Sequence, residues 1–197
     1  IYFPTWLAYA TGSLEKHGHE VRLIDASPSG MTLQQVIDIA VEFKPGLMLV
    51  DSTTASFHVD MQTAAALKQA LPKTFFAMVG LHVSALPDAA LQEGSAVDAV
   101  CRREYDMTAV ALAEALSGST SLADVAGISY RDAERGIVHN PNRGYIEDLD
   151  ELPFVTQVFK KHLRIEDYFY AHIQYPMVTT FTSRGCPFRC TFCDRPY

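Results

Sequence analysis

Lys44-Pro45-Gly46-Leu47-Met48-Leu49-Val50-Asp51-Ser52-Thr53-Thr54 holds a short apolar run that follows a Pro-Gly break and ends in three hydroxyl residues. A continuous run of this length bounded by turn residues reads as a strand covered on both faces. Outward from it the same pattern returns. Val21 to Asp25 precedes it, and Phe75 to Val79 and Val97 to Cys101 follow. Stretches of helical period lie between them. Trp6, Leu7, Ala10 and Leu14 share a face of the first, and Leu33, Val36, Ile37 and Ala40 a face of the second. Ala64, Leu67, Lys68 and Leu71 mark a third, Pro87 to Glu93 a shorter fourth, and Val110, Ala113, Ala115 and Leu116 the end of a fifth. Strands alternating with helices predict an α/β domain over residues 1–117, a Rossmann-like (flavodoxin-type) doubly wound parallel sheet with helices on both faces. The chain opens on a helix start at Pro4-Thr5, so this reading expects the first strand of that domain to lie ahead of residue 1.

Beyond residue 117 the character changes. Ser117-Gly118-Ser119-Thr120-Ser121 is a polar loop, and Ala126 to Arg131 with Gly136 to His139 predict a hairpin. The acidic stretch Glu147 to Phe154 reads as a solvated linker, and the aromatic-rich Phe159 to Tyr175 leads to a last strand-like run, Val178-Thr179-Thr180-Phe181-Thr182-Ser183. Hairpin and linker are assigned residues 118–176, and the final segment residues 177–197. No repeat or low-complexity tract interrupts them.

Three of the four cysteines crowd into Gly185-Cys186-Pro187-Phe188-Arg189-Cys190-Thr191-Phe192-Cys193. Thiolates this close on one loop reach a single inorganic centre more readily than they form ordinary disulfides. A closed zinc site takes four ligands, normally from two paired knuckles, and no second knuckle exists here. Three thiolates suit a 4Fe-4S cluster with one iron left open. A zinc site and a thioredoxin-like dithiol at Cys190 and Cys193 stay as alternatives. Cys101, in the apolar stretch Val97 to Cys101, reads as a buried, inert thiol.

With its C-x3-C-x-φ-C spacing and Phe192 at the aromatic position, this loop resembles that of the radical S-adenosylmethionine (radical SAM) superfamily. The resemblance implies that Val178 to Ser183 is the first strand of a β/α barrel. It further implies that Cys186, Cys190 and Cys193 hold the 4Fe-4S cluster, that SAM chelates its open iron, and that Phe192 lies beside the adenine. One-electron cleavage of SAM would then give a 5′-deoxyadenosyl radical that removes hydrogen from an unactivated carbon. The preceding domain resembles the cobalamin-binding domain of one large radical SAM class, on Gly18 to Ala26, Lys44 to Thr54, Val79 to Pro87, Gly127 to Arg131 and Asp148 to Phe154. Ligands of an open parallel sheet bind at the carboxyl ends of its strands. The resemblance therefore implies that Ser52, Thr53 and Thr54 after one strand, and Gly80, His82 and Ser84 after the next, cradle cobalamin. Ordinary turn and cap chemistry is the other reading of those loops.

Two departures stand out. The Asp-x-His-x-x-Gly signature for a lower cobalt ligand is absent, so binding would be His-off. Arg102-Arg103-Glu104-Tyr105 replaces the family's Gly-Glu-Gly-Glu, which is expected to narrow the crevice at the corrin edge. That variant, with Phe3-Pro4-Thr5-Trp6-Leu7-Ala8, is also similar to radical SAM proteins associated with hopanoid side-chain biosynthesis. Paired surface charge is the other reading of Arg103 and Glu104.

The resemblance implies a radical SAM enzyme, cobalamin-dependent, acting in methyl transfer or another C–H functionalisation. Its partners would be a small-molecule or lipid-like substrate and a one-electron reductant such as flavodoxin or ferredoxin. This stretch alone is not expected to turn over, because a β/α barrel needs on the order of 200 residues. Two alternatives are kept: a radical SAM enzyme whose Rossmann-like domain serves docking or substrate recognition without cobalamin, and a non-enzymatic metal or redox protein. Net charge is −7 with no basic patch, which argues against nucleic acid, and no apolar run is long enough to span a bilayer. Thiols kept for a cluster suggest a reducing cytoplasm.

Overall fold

The computed structural model describes residues 2–93, 96–186, 188, 190, 191 and 193. Among them the helices are α1 (Thr5–Lys16), α2 (Leu33–Phe43), α3 (Phe57–Ala70), α4 (Leu81–Ala85), α5 (Pro87–Glu93), α6 (Asp106–Leu116) and α7 (Val155–His162). The strands are β1 (Leu47–Asp51), β2 (Phe75–Val79), β3 (Ala99–Cys101), β4 (Ile128–Asp132) and β5 (Gly136–His139). Two compact units result, one of residues 1–36 and 146–195, the other of residues 37–145.

The second unit is built on one sheet of order β1-β2-β3-β4-β5. β1 and β2 run parallel with Leu47 opposite Phe75 and Asp51 opposite Val79, and β3 continues the parallel part. In β2 the residues Phe76, Ala77, Met78 and Val79 are all buried, as a strand covered on both faces must be. Phe57 and Ala64 of α3, Val83 of α4, Ala90 and Leu91 of α5 close one core with Met78, Val97 and Val100. The predicted hairpin is present and does more than the sequence indicated: β4 pairs antiparallel with β3, Cys101 opposite Ile128, so the hairpin extends the sheet. Ile128, Ser129 and Tyr130 are buried, and β3 supplies the paired edge that such a strand needs. Asp132 turns the hairpin, its Oδ1 accepting the N–H groups of Glu134 and Arg135 at 2.9 Å each. At the amino end of the strands, Lys68 Nζ donates to Asp98 Oδ2 at 2.7 Å, and that oxygen also accepts the Phe76 N–H.

In the first unit Phe3, Ala8 and Tyr9 of the N-terminal segment pack with Leu23, with Val155, Val158 and Phe159 of α7, and with Tyr168. Phe3 stacks on Tyr168 with ring centroids 3.9 Å apart. α7 went unrecognised in the sequence because it is only eight residues long and follows a Pro-terminated acidic stretch. Leu152 at the end of that stretch packs on the core, so the linker is anchored as well as solvated.

Two predicted strands do not form. Val21 to Asp25 has no ladder. Two of its polar groups are taken up by side chains distant in sequence instead: the Leu23 N–H donates to His162 Nδ1 at 3.3 Å, and Asp25 Oδ2 accepts from Tyr168 Oη at 2.7 Å. Val178 to Ser183 is likewise without a ladder and largely exposed. β-branched composition favours an extended chain, but a strand exists only against a neighbour that exchanges N–H and C=O groups with it.

Candidate functional site

The carboxyl ends of β1 and β2 bring together two of the predicted loops. Asp51 and Val79 are directly opposite, so Ser52, Thr53 and Thr54 leave the sheet beside Gly80. The Ser52 N–H donates to Val79 O at 2.9 Å. Gly80 has φ 106, and a Cβ at this position would stand 2.3 Å from Ser52 O and 2.5 Å from Asp51 Oδ1. Only glycine fits, for conformation and for space. His82, on α4, returns to the first loop: its Nδ1 lies 3.3 Å from Thr54 Oγ1, and its ring centroid is 4.4 Å from that of Phe57. Thr53 is held by Ser56, whose Oγ accepts the Thr53 N–H at 3.2 Å. Ser84 Oγ accepts the Arg103 N–H at 2.7 Å, tying the second loop to the end of β3. Ser52, Thr53, Thr54, Gly80, His82 and Ser84 thus form one connected rim.

Two groups on this rim carry unmet or perturbed chemistry. Ser52 Oγ is buried and has no hydrogen-bond partner among the described residues. A buried hydroxyl left so costs free energy unless a ligand satisfies it. Enclosure of the Asp51 carboxyl pushes its pKa up to about 6, with the Asp60 charge adding and the Ser52 N–H opposing, although the residue keeps solvent contact elsewhere. A glycine cradle beside an orphaned hydroxyl is the kind of surface a large, flat, amide-bearing cofactor approaches closely, and the residues fit cobalamin in that sense.

The sequence expectation that Arg102 obstructs the crevice needs correction. Its guanidinium turns into the hairpin, donating from Nε to Asn142 Oδ1, from Nη1 to Ile128 O and Ser129 Oγ, and from Nη2 to Asn140 O. Four of its five N–H groups are thereby used. Burial, with Arg103 nearby, lowers its pKa from the usual arginine range. Nothing in the sequence marks this role, since an Arg after a strand looks the same whether it faces solvent or folds back. Cys101 is buried as expected, its thiol pushed up to about 12 by desolvation.

In the other unit, Cys186, Cys190 and Cys193 are exposed and outside any disulfide, and the Cys193 N–H donates to Cys190 O at 3.2 Å. Among the described residues no three Cys, His, Asp or Glu side chains converge on a metal-ligating point. As a donor set three thiols fit an iron–sulfur cluster; their convergence on one belongs to the proposal below. Phe192 lies outside the described residues. The segment leading into the cysteines is fixed by aromatic contacts. Phe181 stacks on Trp6 of α1 at 5.2 Å, and the Arg184 guanidinium lies over Trp6 at 5.1 Å and Tyr9 at 4.6 Å. Gly185 follows with φ 85. The single Trp was read only as a helix-face residue, because stacking across more than 170 positions leaves no local trace.

No helix among the described residues is long and apolar enough to cross a membrane. A family model described as B12 binding domain matches residues 1–113. An uncharacterized methyltransferase, PH0819, of Pyrococcus horikoshii is 32% identical over 192 residues, covering 97% of this chain and 40% of the relative. The anaerobic magnesium-protoporphyrin IX monomethyl ester cyclase of Rubrivivax gelatinosus is 27% identical over 196 residues, covering 98% and 35%. The chain thus spans 40% or less of the length of these relatives. Among solved structures, the cobalamin-dependent S-adenosylmethionine radical enzyme OxsB, with aqua-cobalamin and S-adenosylmethionine bound, has the same fold at TM-score 0.67 and 17% identity, covering 74% of this chain and 20% of that one.

Proposed function

Because the chain belongs to the B12 binding domain family, we propose that the rim at the carboxyl ends of β1 and β2 holds cobalamin and that the protein is a cobalamin-dependent radical SAM enzyme. In this reading it works in methyl transfer or another C–H functionalisation on a small-molecule or lipid-like substrate, with flavodoxin or ferredoxin as reductant, in the cytoplasm. Residues 1–117 are its cobalamin-binding part, 118–176 the hairpin and linker, and 177–197 the start of the catalytic barrel. When bound, the cluster and SAM supply radical chemistry and cobalamin supplies a carrier for the transferred group. The chain's own residues bind and orient them. Gly80 lets the ligand reach the backbone, Ser52 offers a buried hydroxyl, and Thr53, Thr54, His82 and Ser84 line the approach. Cys186, Cys190 and Cys193 are the cluster ligands, and Phe192 is the adenine neighbour.

The observation that carries the reading is the pairing of the Gly80 cradle with the partnerless Ser52 Oγ. Both are unfavourable in an isolated turn and useful against a ligand. Equilibrium dialysis of hydroxocobalamin against residues 1–197, with visible absorption, tests it. Micromolar binding with a base-off spectrum is expected, since no lower His ligand is in view. Absence of binding at ~1 mM, a free energy weaker than about −4 kcal/mol, would overturn it. Iron and sulfide analysis after anaerobic reconstitution tests the cysteine assignment separately: loss of the cluster in a Cys186→Ser, Cys190→Ser, Cys193→Ser variant is expected, and zinc or a reversible disulfide in its place would refute it.

A further inference from the structure

At the carboxyl end of β3 the sheet and hairpin enclose an open cleft of about 660 Å³ whose lining includes Ser84, Arg102, Arg103, His139 and Asn142 and no carboxylate. The hydrogen bonds around it fix which atoms can donate. The Arg102 Nε–H has only a proton to offer, so the Asn142 atom it meets at 3.2 Å is the carbonyl oxygen. The Asn142 Nδ2 protons are left for the cleft. The Arg103 N–H enters Ser84 Oγ at 2.7 Å, which leaves the Ser84 hydroxyl proton to point elsewhere. Arg102 Nη1 donates to Ser129 Oγ, which also meets His139 Nδ1 at 2.8 Å, and His139 Nε2 lies 3.1 Å from Asp88 Oδ1. Both ring nitrogens of His139 are thereby engaged, one by Ser129 and one by Asp88.

Arg103 differs from all of these. It is half-buried, its guanidinium has no hydrogen bond or ion pair among the described residues, and its backbone sits in the left-handed region at φ 61. A non-glycine residue in that region is uncommon and costs of order 1 kcal/mol or more. Here the conformation delivers an unsatisfied cation to a cleft without a counter-charge.

We propose that this cleft is a binding site for a phosphate ester, with Arg103 as its charged anchor and Ser84 and Asn142 as flanking donors. The three donors come from α4, the end of β3 and the segment after β5. Donors approaching from separate walls suit the peripheral oxygens of a tetrahedral phosphoryl group better than the two coplanar oxygens of a carboxylate. The cleft far exceeds one phosphoryl group, so the rest of the ester occupies the remaining space. The phosphate could come from the phosphodiester of a corrinoid tail or from a separate phosphorylated small molecule; the site itself does not depend on cobalamin binding.

Titration of the 197-residue chain with phenyl phosphate, followed by the Arg103 Nε resonance, tests the inference, with benzoate as the carboxylate comparison. A saturable shift is expected for phenyl phosphate and a weaker one for benzoate. Affinity should fall roughly tenfold to a hundredfold in Arg103→Gln, fall less in Arg103→Lys, which keeps the charge and loses the fork, and stay unchanged in Arg164→Gln. Absence of a shift, equal affinity for benzoate, or equal affinity of wild type and Arg103→Gln would overturn the site. Displacement of phenyl phosphate by hydroxocobalamin would support the corrinoid source, and simultaneous binding a separate ester. Failure of the cobalamin reading would leave phosphate binding intact, and failure of the phosphate site would leave the cobalamin titration to be judged alone.

Discussion

Asp51 and Gly80 occupy adjacent positions on one rim, and each makes a different kind of demand on the fold. In the unfolded chain Asp51 releases its proton near the ordinary aspartate value, and in the folded chain only near pH 6. Between those values the folded state binds the extra proton. The stabilising contribution of this group is therefore present at pH 4, is lost as pH rises through 6, and stays lost above. Asp51→Asn is expected to raise stability at pH 8 by about 1 kcal/mol, a figure discounted for the carboxyl's solvent contact, and to change little at pH 4. Urea melts at the two pH values check this, and an equal gain at both would refute it. Gly80→Ala meets backbone and carboxylate oxygens at under 3 Å with φ 106. The nearest neighbour, Ser52 O, is backbone and cannot swing aside as the Asp51 carboxylate can, so a loss of about 2–3 kcal/mol in the urea midpoint analysis and a matching loss of cobalamin affinity are expected. An unchanged midpoint would show that the strand ends can separate freely.

Between elements, the sign of a substitution depends on what the added atoms meet. In an exposed helix Gly→Ala gains roughly 1 kcal/mol. Gly12 lies in α1, where a Cβ would stand 2.5 Å from Pro153 Cγ and 2.8 Å from Val158 Cγ2. A proline ring and a β-branched side chain yield little, so overpacking prevails and Gly12→Ala is expected to lose about 1–3 kcal/mol. Thermal melts decide it, and a higher midpoint would mean that α1 and α7 shift apart at no cost. Elements of this kind separate what the sequence displayed from what it hid. β1, β2 and the helices between them were legible because buried parallel strands carry continuous apolar runs and their helices an amphipathic period. Ser52 to Thr54 and Gly80 to Ser84 were legible as neighbours for the same reason, since parallel register places successive strand ends side by side. The pairing of β4 with β3, the return of Arg102 into that hairpin and the stacking of Phe181 on Trp6 were not, because each depends on contacts distant in sequence between residues with ordinary local patterns. Val21 to Asp25 and Val178 to Ser183 mark the opposite limit: strand composition was present and a pairing partner was absent.

Across the whole molecule the two proposed cofactor functions fall in different units of the chain, the cobalamin rim within residues 37–145 and the cysteines within residues 146–195. A ligand that binds only the folded state stabilises it by RT ln(1 + [L]/Kd), about 2.7 kcal/mol at a hundredfold excess over Kd. Amides that open through unfolding of the rim must register that gain as slower exchange. Hydroxocobalamin is therefore expected to slow hydrogen exchange at Ser52 to Thr54 and Gly80 to Ser84, including the Ser52 N–H already bonded to Val79 O, and to leave Cys190 to Cys193 unaffected. Reconstitution with iron and sulfide should do the reverse, reaching the Cys193 N–H, and should fail in the Cys186→Ser, Cys190→Ser, Cys193→Ser variant while the cobalamin pattern persists. Protection by cobalamin centred on β4 and β5 would move the ligand off the rim. Protection of the cysteine segment by cobalamin alone would contradict the assignment of the two cofactors to separate residue sets.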